Sequence, residues 1–406
     1  MNTETMAEPR VARAGAAPSP GRLASIDAYR GLVMLLMMAE VLAIGAVARA
    51  VPESAFWKFL HWQQSHVDWV GCVLHDLIQP SFSFLVGVAL PFSIVSRVAR
   101  GQSLGGMLGH AAWRSLLLVA LGIWLRSIDR RQTYFTFEDT LSQIGLGYTF
   151  LFLLGLRSAR VQWIAFTGIC VGYWALFALY PLPGPNFDWA TAGVAPDWPH
   201  HAEGFAAHWN KNTNAAWAFD RWFLNLFPRE KVFLNNGGGY ATLSFIPTLA
   251  TMILGLLAGG WLRSPLSHGQ KLTRFLVAGV AGMALGLAFH ALGICPIVKR
   301  IWTPGWVLFS GGWCFLFVAA FYWIMEVKSL RGWAWPLIVI GMNSIAAYCI
   351  AHLFEHFLVG MLNTHLGPGF FASFAPYDPF LRGALVLFIF WLILFWMYRR
   401  RLFLKI

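Results

Sequence analysis

Long uninterrupted apolar runs constrain this chain more than any other feature. Roughly ten of them are read, over residues 29–48, 69–95, 112–125, 141–156, 161–180, 240–262, 274–295, 306–327, 335–353 and 383–398. A helix rising about 1.5 Å per residue needs roughly 20 residues to cross about 30 Å of hydrocarbon; several runs approach or exceed that length, and the third and fourth fall short of it. The runs must be helical. In lipid every backbone amide pairs within its own segment or in a closed barrel, and barrel strands alternate in polarity instead of running apolar. Composition agrees, because 58% hydrophobic against 12% charged residues leave too little polar surface to cover a soluble globule of 406 residues. The expected fold is all-α: a polytopic transmembrane helix bundle of about ten spans.

Lys and Arg are retained in cytoplasmic loops, so their distribution orients the spans. One side collects Arg22, Arg30, Arg97, Arg100, Arg114, Arg157, Arg160, Arg263, Lys271, Arg274, Lys328, Arg331 and the run Arg399–Arg401. Both termini are therefore expected to be cytoplasmic, in keeping with an even number of spans. The net charge of +12 is mostly this topological signal, with some attraction for anionic lipid heads, and it makes no case for nucleic acid. Residues 1–21, rich in Ala, Pro and Arg, read as a disordered cytoplasmic tail without the apolar core of a signal peptide. Residues 22–406 form the membrane domain, and the long segment 181–239, rich in Trp and His, reads as an outer-face cap. The five cysteines stand singly in or beside apolar runs and read as small core residues. No metal-binding pattern is present.

Polar residues at membrane depth carry the functional information, since each costs a few kcal/mol on insertion scales unless paired or hydrated. The densest group is His61, His66, Asp68, Trp69, Gly71, His75, Asp76 and Pro80 around the second run. If this stretch is helical, ten residues turn through about 1000°, so Asp76 lies within about 80° of the face of His66 and roughly three turns deeper. Both then line one cavity. A histidine can take a proton from an incoming nucleophile or act as nucleophile, while a buried carboxylate holds it in place. The bland alternative, an interfacial histidine and a structural carboxylate, stands beside this one. Glu40, within the first run, either lines the same cavity or pairs with a basic group. Asp27 and Arg30 read as an ion pair at a helix start. His352, Glu355 and His356, at helical spacing, either face an acceptor or form a polar helix end.

Several blocks, in order, carry a resemblance. Arg22-Leu23-Ala24-Ser25-Ile26-Asp27-Ala28-Tyr29-Arg30-Gly31 enters the first span, and His66-x-x-Trp69-x-Gly71 is followed by Asp76-Leu77-x-x-Pro80 and Gly87. Trp113-Arg114-Ser115-Leu116 and Gly341-Met342-Asn343-Ser344-Ile345 with Tyr348 come later. Together they resemble the heparan-α-glucosaminide N-acetyltransferase family, within a wider group of transmembrane acyltransferases that includes a bacterial N-acetylglucosamine-related branch. The acidic Pro-Glu-Gly element that the family carries near Asn235–Tyr240 is missing here.

The resemblance implies transfer of acetyl from cytoplasmic acetyl-CoA to an amino sugar, or a sugar hydroxyl, on the other side of the membrane. It also implies that His66 is catalytic, either as general base or as a transient acetyl-histidine, with Asp76 beside it. Such a reaction needs donors for the developing oxyanion and a path for a long anionic thioester. Asn343 and the Trp69 indole are candidate donors, against the alternatives of an interhelical hydrogen bond and a membrane-belt aromatic. His352 and Glu40 are candidates for the acceptor side. Arg97, Arg100 and Arg114 suit the phosphates of CoA, and equally an ordinary positive-inside loop. The expected partners are membrane lipids, acetyl-CoA and an amino-sugar or oligosaccharide acceptor, and a homodimer is compatible with this reading. The resemblance places the chain in a bacterial cytoplasmic (inner) membrane. An amino-sugar transporter is the competing function, which paired broken helices with inverted symmetry would favour.

Overall fold

The computed structural model describes residues 23–367 and 369–404, so the expected tail at 1–21 lies outside the described residues. The chain is helical throughout, with an isolated bridge between Val70 and Val298 in place of any strand among the described residues. In order the helices are α1 (Ala24–Met38), α2 (Ile44–Ala50), α3 (Ala55–Gln64), α4 (Ile78–Ala99) and α5 (Leu104–Arg126). There follow α6 (Thr140–Gly155), α7 (Ala159–Ala178), α8 (Trp189–Ala192), α9 (Ala215–Phe223) and α10 (Phe245–Arg263). The last are α11 (His268–Ala291), α12 (Pro304–Tyr322), α13 (Trp335–Gly341), α14 (Ser344–Leu366) and α15 (Asp378–Arg399).

Among the described residues eight helices are long and apolar enough to cross a membrane, up to nine if α1 and α2, bent by 44° at Ala43, form one span. The remaining apolar run is α6, whose 16 residues fall short of a full crossing. Two expected spans are redrawn. The run at 69–95 is not helical from its start: the backbone takes a positive φ at Gly71 (121°), is extended at Val73, passes through a tight turn at Leu74–Leu77 and becomes α4 only at Ile78. The run at 335–353 is broken at Asn343, where the short α13 ends and the full-length α14 begins.

Local chemistry accounts for the helix starts. Ser103, Asp139 and Thr303 accept backbone N–H groups of the first turns of α5, α6 and α12, and Ser267 with Gln270 forms a reciprocal cap on α11. Pro304 occupies the first turn of α12, where its missing N–H costs nothing. Packing rests on small residues, as expected where lipid removes the hydrophobic drive between helices. A Cβ at Gly87 of α4 would collide with the Met252 carbonyl oxygen of α10, and one at Gly255 of α10 with the Phe84 carbonyl oxygen of α4. Backbone contact at this crossing fixes α4, and α4 positions both clusters described below.

Asp76 precedes α4 and Arg97 lies in its last turn, so about 30 Å of helix separates them. The described ends of the chain meet at the Arg97 end. There the Asn343 side chain donates to the Leu402 carbonyl (3.0 Å), and the Ser25 N–H donates to Glu326 (3.1 Å). Segment 181–239 packs at the other end. Trp69, Tyr173, Phe177, Trp209, Val298 and Ile301 form a second apolar core there, separate from that of the bundle.

Candidate functional site

Three segments, residues 66–76, the loop bearing Lys299 and Arg300, and Gly238, converge at the N-terminal end of α4. Asp76 is buried in the turn before the helix, and its Oδ1 lies 2.7 Å from His66 Nδ1 and 3.2 Å from Lys299 Nζ. Its Oδ2 accepts the Val73 N–H at 3.2 Å and, more weakly, the Val67 N–H at 3.5 Å. His66 is thus not one helical face away from Asp76. It belongs to an extended loop that folds back onto the turn, and the Val70–Val298 bridge ties this loop to the one bearing Lys299. Arg300 closes the arrangement by donating to the Val67 carbonyl (3.0 Å) and the Gly238 carbonyl (2.8 Å).

An ionised carboxylate only accepts, so the His66 Nδ1–H and the Lys299 ammonium both donate to Asp76. The 3.2 Å approach of Lys299 Nζ to His66 Nδ1 is then the meeting of two donors on one oxygen. The other ring nitrogen, Nε2, keeps its lone pair on a side chain 36% exposed, whereas those of Asp76 and Lys299 are 1% and 7% exposed. Burial lowers the His66 pKa below the ordinary imidazole value, against the opposing pull of the Asp76 hydrogen bond and charge; the Lys299 charge and, less, the His75 charge add to the lowering. Burial likewise pulls Lys299 below the usual ammonium range, against Asp76. The result is a neutral, oriented imidazole with a free basic nitrogen at neutral pH.

A second pair adjoins the first. His75 Nε2 lies 3.2 Å from Glu40, and the His66 and His75 rings are 4.6 Å apart. Glu40 is not inside an unbroken helix, as its place in the first apolar run suggested. It sits at the break between α1 and α2 with its side chain 60% exposed. His352 of α14 lies within electrostatic reach of Glu40; its Nδ1 is bonded to the Tyr348 carbonyl and its ring stacks on Tyr348 at 4.3 Å.

Both expected oxyanion donors are engaged elsewhere. The Trp69 indole N–H donates to the Trp209 carbonyl at 3.0 Å, which uses the side chain to fasten segment 181–239 to the loop. Asn343 is at the opposite end of the bundle, where it donates to Leu402 and accepts the Leu404 N–H at 3.1 Å. It interrupts the helix there and ties down the segment after α15.

At that opposite end a cavity of about 420 Å³ opens among α1, α4, α5, α6 and α14. Arg30, Arg97, His110 and Arg114 line its mouth, and Phe82 and Leu141 line its depth. Phe82 is six residues from Asp76, about 9 Å along α4, so the cavity runs most of the way from one cluster to the other. Arg114 donates to the Tyr148 hydroxyl (3.1 Å) and lies over its ring (4.5 Å), while Arg97 meets His110 at 3.0 Å. Arg100 does not line the cavity; it is exposed and donates to the Ser96 carbonyl of its own helix. The Asp27–Arg30 ion pair forms at 3.2 Å.

Lys299, His110 and Tyr148 carry the arrangement and were not singled out in the sequence. A signal for Lys299 existed: Lys299-Arg300 is a basic pair in a short loop between two spans, on the side that carries fewer of the basic residues. Among the described residues no group of three or more His, Cys, Asp or Glu side chains is placed to hold a metal ion.

No family model matches the chain. It is 25% identical over 380 residues to the heparan-alpha-glucosaminide N-acetyltransferase of Homo sapiens, covering 83% of this chain and 54% of that protein. The Mus musculus protein of the same name is 24% identical over 383 residues, covering 84% and 54%. The chain spans about half the length of these relatives. Matches over most of this chain, together with a multi-pass helical bundle, support the resemblance already carried by its sequence blocks: the chain is similar to the heparan-alpha-glucosaminide N-acetyltransferases.

Proposed function

We propose that the chain is a membrane-embedded acetyltransferase that takes acetyl from acetyl-CoA at the Arg97 end and delivers it to an amino sugar at the His66 end. The observation that carries this reading is a carboxylate-anchored histidine at one end of α4 and an arginine-lined cavity reaching toward it from the other. Arg30, Arg97, His110 and Arg114 suit the phosphates of CoA, which guanidinium groups bind by charge-assisted hydrogen bonds. The apolar depth of the cavity suits the slender pantetheine arm. Retention of Lys and Arg in cytoplasmic loops makes the Arg97 end cytoplasmic and, in a bacterium, the His66 end periplasmic.

His66 Nε2 takes a proton from the acceptor nitrogen as that nitrogen attacks the thioester carbonyl carbon. A C–N bond forms, the C–S bond breaks, and the thiolate leaves as the CoA thiol after taking up the proton. Asp76 keeps the tautomer and stabilises the imidazolium that forms in passing. Lys299 lies beside this charge and is the available cation for the oxyanion, a part that Trp69 and Asn343 are not placed to play. An acetyl-histidine route would use the same nitrogen as nucleophile.

Purified protein incubated with radiolabelled acetyl-CoA and glucosamine tests the reading. Transfer by the wild type and none by a folded His66→Ala variant is the expected result. No transfer to any amino-sugar acceptor, with sugar uptake into vesicles instead, would establish the transporter reading and sink this one.

A further inference from the structure

A second cavity, of about 320 Å³, lies at the His66 end of the molecule, between the loop after α5 and residues 228–235. Arg130, Arg229 and Lys231 face it against a single carboxylate, Glu230. The cleft is preformed. Arg229 donates to the Leu224 carbonyl at 2.7 Å and to the Phe135 carbonyl, and its guanidinium lies over Tyr134 and Phe233 at 5.4 and 5.3 Å. Asn225 pairs with both the N–H and the carbonyl of Phe233, which clasps the loop shut. Arg130, 4.8 Å over Tyr134, and Lys231 have no ion pair among the described residues.

The surroundings of these cations distinguish their ligand. Val232 and Leu234 line the cleft with 73% and 44% of their surfaces exposed. Trp124, in the last turn of α5, is 54% exposed and Arg130 follows shortly after that helix ends, so the cleft sits where a membrane-spanning helix leaves the hydrocarbon. Cations with fixed donors beside bare aliphatic groups at this depth suit an amphiphile: the phosphate meets the guanidinium and ammonium groups, and the acyl chains meet Val232 and Leu234. We infer that the cleft is a binding site for the phosphate headgroup of an anionic phospholipid, which anchors segment 181–239 to the membrane surface. This assignment is independent of acetyl transfer.

Native mass spectrometry of the full chain in detergent, titrated with phosphatidylglycerol or phosphatidylcholine, tests it. Both Arg130 and Lys231 are exposed, so an Arg130→Gln, Lys231→Gln double variant should unfold at the wild-type temperature. Expected is retention of phosphatidylglycerol over phosphatidylcholine, weakened about 25-fold in the double variant, on the basis of two surface cations. Equal retention of the two lipids, or no effect of the double variant, overturns the inference. Displacement of phosphatidylglycerol by equimolar inorganic phosphate would mark a free-anion site and also overturn it. So would a sulfated oligosaccharide whose binding the double variant abolishes while lipid retention is unchanged.

Discussion

The two ends of α4 are built in opposite ways. At the Asp76 end the charged groups are locked together: one buried carboxylate holds an imidazole, an ammonium and backbone N–H groups, and this leaves His66 Nε2 as the imidazole's one uncommitted nitrogen. At the Arg97 end the charges stand around an open cavity, held by an aromatic face, a hydroxyl and a histidine instead of by carboxylates, apart from Arg30 with Asp27. Cations kept clear of carboxylates remain available to an anionic ligand, whereas a base that must keep one tautomer needs its partner fixed. On the proposed function, the contrast assigns chemistry to one end and binding to the other.

Substitutions can break this division, and the largest effect should come from the locked end. His66→Ala should lower the acetyl-transfer rate by about 10²–10⁴-fold, the usual contribution of a positioned base, with detergent-solubilised protein still monodisperse on gel filtration. Asp76→Ala should cost about 3–5 kcal/mol of stability, because it strands the buried Lys299 charge, and thermal unfolding would report it. At the open end, Arg97→Gln and Arg114→Gln should each raise KM for acetyl-CoA by about ten- to a hundredfold, the loss of one charge-assisted bond, with little change in kcat. An equal fall in kcat would show that the two ends are not separate in function.

The pH profile sharpens the comparison more subtly. A base works only when deprotonated, and the His66 pKa is depressed, so activity should persist below the ordinary histidine pKa and fall only on further acidification. Lys299 is one cause of that depression, so Lys299→Met should move the acid limb to higher pH; a limb that stays put, measured as kcat/KM against pH, would remove Lys299 from the site. Smallest of all, Arg100→Gln should change KM for acetyl-CoA less than about twofold, since Arg100 bonds only its own helix and stands outside the cavity.

Reading the sequence for spans worked where the apolar run was itself the element, as in α10, α11, α12 and α15. It failed at 69–77, where Trp69, Val70, Cys72 and Val73 are apolar without being helical. Their backbone is committed to a distant partner, with Val70 bridged to Val298 and the Gly71 N–H bonded to the Ile297 carbonyl at 3.1 Å. No local pattern announces such a pairing. The same loop explains why His66 and Asp76 were paired correctly as neighbours but by a wrong geometry, a shared helical face instead of a direct hydrogen bond. Asn343 was misplaced because a polar residue within an apolar run reads as deep, whereas here it ends one helix and starts another beside Leu402 and Leu404.

The sequence by itself determined that this is a helical membrane protein, and which polar residues must be satisfied within it, because burying a backbone or a charge in lipid leaves few solutions. Only the tertiary structure decided which of those residues meet. Lys299 reaches Asp76 across 223 positions of chain, and Arg97 and Arg114 join Arg30 and His110 around one cavity, because side-chain contacts between helices depend on packing and rotation that a one-dimensional pattern of apolar residues does not encode.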